Sequence, residues 1–163
     1  MFQLREFNTN DVAPLVAILN DPEVTRYLST KIPQPYTQQD ALWWIEEGSK
    51  QGYIRAICDG QQLIGCIGVN PGEFEYQCSG ELGYWLAKSH WGRGITHQAV
   101  LQIVTAVFND TDVVRVFASV FDENHASIKL LKKSGFEQEA ILKRAIFKAG
   151  HFYDCHIFSV LKP

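Results

Sequence analysis

Gly92 and Gly94 stand at alternate positions in the stretch Trp91-Gly-Arg-Gly-Ile-Thr96, between a short aromatic-rich run and a long apolar one. Glycines so spaced let the backbone take left-handed or crowded conformations, so that several N–H groups converge on one space at the start of a helix. Phosphate oxygens suit such a space. Three readings of the turn compete. A dinucleotide fingerprint needs a third glycine three positions after Gly94, where His97 stands, and a nucleotide-triphosphate loop needs Gly-Lys followed by Ser or Thr, which is absent. The third is a turn that only requires flexible residues.

The elements around this turn must position it. Leu82 to Leu86 reads as a strand, and Ile95, Ala99, Ile103 and Val107, widened by Val100, Val104 and Phe108, mark one apolar face of a helix. Upstream, Phe2 to Phe7 reads as a strand, and Val12, Leu15, Val16 and Leu19 mark a helix ending near Asn20. Asp21-Pro22 opens a short helical turn through Tyr27, Ser29 to Thr37 is an irregular loop, and Thr37 caps a helix carrying Ala41, Trp44 and Ile45. Tyr53 to Cys58 and Gln62 to Val69 flank Asp59-Gly60, a hairpin signal. Downstream come a strand over Val113 to Val120, a helix from Asn124 to Ser134 stopped by Gly135, and strands over Phe136 to Phe147 and Phe152 to Leu161. This order predicts an α/β fold with a mixed sheet, in one domain over residues 1–163.

With its flanking elements, the turn resembles the pyrophosphate loop of the GNAT N-acetyltransferases, whose usual form is Arg or Gln, two residues, Gly, any residue, then Gly or Ala. Gly94 matches the central glycine, while Trp91 replaces the Arg or Gln and Thr96 the small residue. The Trp-Gly-Arg-Gly form is similar to that of the ribosomal-protein N-terminal acetyltransferase branch. Asn124-His-Ala-Ser127 ahead of Gly135-Phe136 resembles the family's Asn-x-x-Ser motif, though on its own it reads as plain N-capping by Asn124. Gly150-His-Phe-Tyr-Asp154 resembles the branch's closing hairpin. The matching segments cover nearly the whole chain.

The resemblance implies the GNAT fold, a mixed, mostly antiparallel central sheet flanked by helices, and acetyl-coenzyme A as cosubstrate. It implies that Trp91, Gly92, Arg93, Gly94, Ile95 and Thr96 hold the diphosphate through backbone amides. Tyr84, Leu86, Asn124 and Ser127 would line the pantetheine and thiol end. The implied reaction is attack by a neutral amine on the thioester. A lysine-like amine costs roughly 4.6 kcal/mol to deprotonate at pH 7, an α-amino group near pKa 8 about 1.4 kcal/mol, so an N-terminal acceptor needs less help from a base. Leu86 would supply the N–H that meets the oxyanion, Ser127 a proton or hydrogen bond to the sulfur, and Glu81, opening the central strand, a base acting through water. Asp154 and Tyr84 are weaker candidates for the base. The acceptor is an amine-bearing peptide N-terminus or small molecule. Two rivals stand: a coenzyme-A-binding sensor or regulatory module without turnover, and a nucleotide-binding protein that uses the glycines for another phosphate.

Composition narrows the partners. The 163 residues are 46% hydrophobic and 20% charged with a net charge of −3, an ordinary globular balance without the basic surface that nucleic-acid binding calls for. No cationic leader followed by an apolar segment opens the chain and no long apolar run occurs, so no membrane partner and a soluble, cytoplasmic protein are expected, monomeric or homodimeric. Cys58, Cys66, Cys78 and Cys155 form no C-x-x-C pair and read as reduced packing residues. His151, Cys155 and His156 lack metal-ligand spacing, and no metal is expected. His90 and His97 flank the glycine turn; of the adjacent Trp43 and Trp44 only one can face the core.

Overall fold

Four residues, Phe2–Arg5, form β1 and lead into three helices, α1 (Val12–Leu19), α2 (Pro22–Thr25) and α3 (Gln38–Glu46). Then come β2 (Tyr53–Asp59), β3 (Gln62–Pro71), β4 (Ser79–Leu86), α4 (Ile95–Asp110), β5 (Arg115–Phe121), α5 (His125–Lys133), β6 (Glu137–Lys148) and β7 (His151–Leu161). The computed structural model describes residues 1–163 and joins the strands in one seven-stranded sheet, ordered β1-β2-β3-β4-β5-β7-β6. Only β4 and β5 run parallel. The sheet is therefore mixed and mostly antiparallel, as expected.

From Leu63 to Val69, β3 is buried without interruption because both its faces are covered. On one face α4 lays down Ala99, Val100, Ile103, Val107 and Phe108 against Ile67, Leu82, Val116 and Phe158. The other face receives Leu15 and Leu19 of α1 and Ala41 and Ile45 of α3, packed on Ala56, Cys58 and Leu63. Each large apolar side chain so buried contributes about 1.5–3 kcal/mol. The spacing of the α4 residues read from the sequence is thus the face that packs.

Local chemistry sets the ends of these elements. Thr37 and Asp40 form a reciprocal capping box at the start of α3. Buried Asp11 takes Arg5 through two 2.7 Å hydrogen bonds, pinning β1 to the turn ahead of α1. Between β2 and β3 the chain reverses at Gly60, φ 59°. Between β6 and β7 it reverses at Ala149-Gly150, both at positive φ (50° and 79°), as a two-residue hairpin turn requires.

Several boundaries differ from the sequence reading. β4 begins at Ser79 rather than Leu82, because β3 runs on to Pro71 and holds Gly80 opposite it. β5 begins at Arg115 rather than Val113: Val113 is buried for packing, and the exposed Val114, bonded to Cys78 and Lys162, comes just before the first paired residue. β6 extends to Lys148 through an irregular stretch at Arg144, φ 51°, and as the outermost strand it is exposed almost throughout. Cys58, Cys66 and Cys155 are buried free thiols and Cys78 is an exposed one. No helix is long and apolar enough to cross a membrane.

Candidate active site

The parallel strands β4 and β5 pair only through Ser79–Arg115, Gly80–Val116 and Glu81–Phe117, and beyond those pairs they separate. Ala87 donates its N–H to Ile64 of β3 at 2.7 Å, so alternation along β4 turns the amides of Leu86 and Tyr84 the other way, toward the gap. Backbone groups in the middle of a sheet are thereby left for a ligand. The Trp91 indole N–H donates to the Leu86 carbonyl at 2.8 Å, which ties the glycine turn to the end of β4 and leaves the Leu86 N–H as the free group.

Gly92 and Gly94 both sit at φ 74°, and a Cβ built on either would meet nothing within 4 Å. Conformation, not crowding, selects glycine there. Gly94 is the N-cap of α4, with no side chain capping the helix. The first main-chain bond back into the turn is Gln98 N–H to Gly94 at 3.2 Å, so the amides of Gly92, Arg93, Gly94, Ile95, Thr96 and His97 have no acceptor within the chain. These amides open onto a cleft of about 600 Å³, within the range of small-molecule sites. This cradle, with the α4 dipole behind it, fits the diphosphate of a coenzyme.

The cleft brings together Tyr84, Leu86, Trp91, Gly92, Arg93, Gly94, Ile95, Thr96, Asn124 and Ser127. Within it the hydroxyls of Tyr84 and Ser127 are hydrogen-bonded, and burial pushes the Tyr84 phenol up to about 12. The pair is therefore a protonated, hydrogen-bonded unit at neutral pH. Asn124 accepts the Ser127 N–H at 3.3 Å, so its side-chain oxygen caps α5 while its NH₂ is left over.

Arg26, Lys129 and Lys133 also line the cleft, with Arg93 and both His90 and His97, against the single carboxylate of Glu23, which pairs with Lys88. An acidic chain thus has a basic mouth to this cleft. Lys129 and Lys133 were not among the site residues singled out from the sequence, but their i, i+4 spacing on the helix from Asn124 to Ser134 was a signal that they share a face. Arg26, Tyr27 and Leu28 carried no such signal, because their place depends on where α2 crosses the sheet. His97 hydrogen-bonds Ser134 at 2.9 Å, joining the start of α4 to the end of α5.

Glu81 is not among the lining residues. It is exposed in the last β4–β5 pair, at the vertex of the gap, on the sheet face opposite α4. Five steps along the strand separate it from Leu86, about 16 Å at the usual rise. Asp154 accepts from the Arg144 N–H at 2.8 Å and Lys143 at 3.1 Å, which holds its carboxyl below the ordinary range and uses it in β6. Trp44 packs edge-on against Phe7 at 5.8 Å, Trp43 is half exposed, and neither lines the cleft.

The profile described as the acetyltransferase (GNAT) domain matches residues 2–137. The uncharacterized N-acetyltransferase p20 of Bacillus licheniformis is 30% identical over 98% of this chain and 92% of its own length. The ribosomal-protein-serine acetyltransferase of Escherichia coli is 25% identical over 96% of this chain and 90% of its own. Among solved structures, the ribosomal L7/L12 α-N-protein acetyltransferase RimL in complex with coenzyme A superposes with a TM-score of 0.86, at 20% identity, covering 99% of this chain and 94% of that one. The free amides of the glycine turn and the parted strands thus fall in a chain that belongs to the GNAT acetyltransferase family and uses acetyl-coenzyme A.

Proposed function

We propose that this acetyltransferase acetylates a primary amine, foremost an α-amino group at a peptide N-terminus, by direct attack on the thioester. Acetyl-coenzyme A supplies the activated acyl carbon and a thiol whose pKa, near 8.5, lets it leave without a strong acid. The chain's own residues supply the rest. The turn from Gly92 to His97 binds the diphosphate, and the amides of Tyr84 and Leu86 offer the strand-like edge for an extended amide-bearing arm. The Leu86 N–H is the donor for a carbonyl oxygen that gains negative charge, in a site already ordered before the reaction. With Tyr84 donating to Ser127, the serine O–H is free to donate onward to sulfur.

The observation that carries the reading is the coincidence of the parted β4–β5 strands with the Tyr84–Ser127 pair. An α-amine fits best because Glu23, already tied to Lys88, is the only carboxylate lining the cleft, and Glu81 lies outside it on the opposite face of the sheet. An amine of pKa about 8 loses its proton at little cost without a strong base. Thiol release from acetyl-coenzyme A, measured with peptides beginning Ala or Ser, with spermidine and with an aminoglycoside, tests this. Release with the peptides is expected. Coenzyme binding with no release on any amine would leave the sensor reading in its place.

A further inference from the structure

Lys148, at the far end of β6, has no carboxylate partner. Its ammonium donates instead to three main-chain carbonyls about 120 residues away, those of Thr25 at 2.8 Å, Arg26 at 3.1 Å and Leu28 at 2.6 Å. Thr25 is the last residue of α2, and its carbonyl already accepts the Leu28 N–H at 3.0 Å, so the cation adds a second donor to a turn that closes on itself. A surface lysine would be free to pair with any passing carboxylate. This one is spent on fixing the path of a loop.

The path it fixes crosses the β4–β5 gap. On the β4 side, Glu23 of α2 pairs with Lys88, two residues past the strand. On the β5 side, the Tyr27 hydroxyl donates to the Glu123 carbonyl at 3.4 Å, and its ring lies 5.5 Å from that of Phe121, at the end of β5. Phe121 in turn lies 5.1 Å from Tyr153 of β7, with the Lys148 ammonium 5.9 Å from its centroid. The segment Pro22–Leu28 is therefore a strap held at both ends, and Glu23, Arg26, Tyr27 and Leu28 from it form one wall of the cleft.

We infer that Lys148 is a positioning residue, clamping the strap across the gap and so fixing the wall against which the acceptor amine is placed. The acceptor part of this rests on the acyl-transfer reading. The clamp accounts for a lysine at a hairpin tip whose partly buried ammonium forgoes water and carboxylate for three neutral oxygens. Burial lowers its pKa, as it would for any cation so placed.

Hydrogen exchange of the full-length chain and steady-state kinetics, on wild type, Lys148→Met and Lys148→Arg, test the clamp. In Lys148→Met, exchange of the amides in Pro22–Leu28 should speed about tenfold while that of α4 stays unchanged. The KM for an N-terminal-alanine peptide should rise about fivefold, the KM for acetyl-coenzyme A less than about twofold, and kcat should fall little. Lys148→Arg, which keeps the charge and several donors, should recover most of the loss. Unchanged exchange in the strap, or equal rises in both KM values, would overturn the inference. Should Lys148→Met fail to fold, Lys148→Gln, which keeps two donors, decides by the same readouts. Exchange reads the clamp whether or not any amine is acetylated, so a wild type that turns over no amine refutes the acyl-transfer reading and the acceptor claim, and leaves the clamp to the exchange result.

Discussion

The two sides of the cleft are built from different materials. On the side proposed for the coenzyme stand main-chain amides, those of Gly92 to His97 and of β4, held by a helix terminus and by strands that part after Glu81. On the facing side stand side chains of the Pro22–Leu28 strap, held at one end by Lys88 just past β4 and at the other by Phe121, Glu123 and Lys148, more than 90 positions away. Substitutions other than proline leave the main-chain amides in place, whereas the strap can be rewritten residue by residue without disturbing the phosphate cradle. On the proposed reading, the wall of amides binds the coenzyme and is the part least altered by side-chain substitution, and the strap is the part in which acceptor choice can change.

A branched side chain in the turn puts that contrast under the heaviest load. Gly94→Val forces a β-branched residue to φ 74°, where it is strained, and so displaces the amides without touching the core. Coenzyme A affinity should fall at least about a hundredfold, while the far-ultraviolet circular dichroism spectrum stays native. Isothermal titration reads the loss, and unchanged affinity would remove the turn from the site.

Ser127→Ala comes next. It leaves the α5 cap intact, since the cap uses the Ser127 N–H and the Asn124 side chain, and removes only the hydroxyl paired with Tyr84. Turnover should drop about ten- to a hundredfold with the KM for acetyl-coenzyme A nearly unchanged. A normal rate would show that the serine serves packing alone.

Much of the coenzyme side was legible because its signals are local. Two glycines, a strand before them and a four-residue apolar repeat after them lie within one continuous stretch, and the structure puts Ile95 to Phe108 on the helix they predicted. The strap was not legible, since Arg26, Tyr27 and Leu28 become a wall only when α2 passes over strands from the other end of the chain. β6 was hard to delimit for a related reason: an edge strand exposed on both faces has no apolar alternation to mark its limits. Glu81 was placed correctly on a strand, but its place at the vertex of the gap depends on where β4–β5 pairing stops, a contact pattern that no local motif encodes.

Two buried phenols give a smaller effect that separates stability from catalysis. Burial pushes both Tyr36, packed against α1 and α3, and Tyr84, in the cleft, up to about 12. In the unfolded chain both ionise near 10, so the fold favours their neutral forms; that contribution is fully present below pH 10 and is lost as pH rises toward 12. Each accounts for at most about 2–3 kcal/mol by that linkage. Denaturant titrations from pH 9 to 12 should show a loss of stability that shrinks in Tyr36→Phe and in Tyr84→Phe alike. Only Tyr84→Phe should also slow turnover, because only that hydroxyl meets Ser127.

The mildest change falls on the basic mouth. Lys129 and Lys133 lie one turn apart on α5, and both line the cleft on the coenzyme side. Exposed cations of this kind act through a screened field, so removing both should weaken coenzyme A about three- to tenfold and flatten the dependence of its affinity on salt. Titrating Lys129→Ala/Lys133→Ala with coenzyme A and with its 3′-dephospho form locates the charge they face. If the lysines serve the ribose phosphate, the preference for the fully phosphorylated form collapses in the variant; if they serve the diphosphate, both ligands weaken together. Either pattern, set beside a Lys148→Met variant that leaves both affinities in place, keeps coenzyme binding and acceptor placement on separate walls.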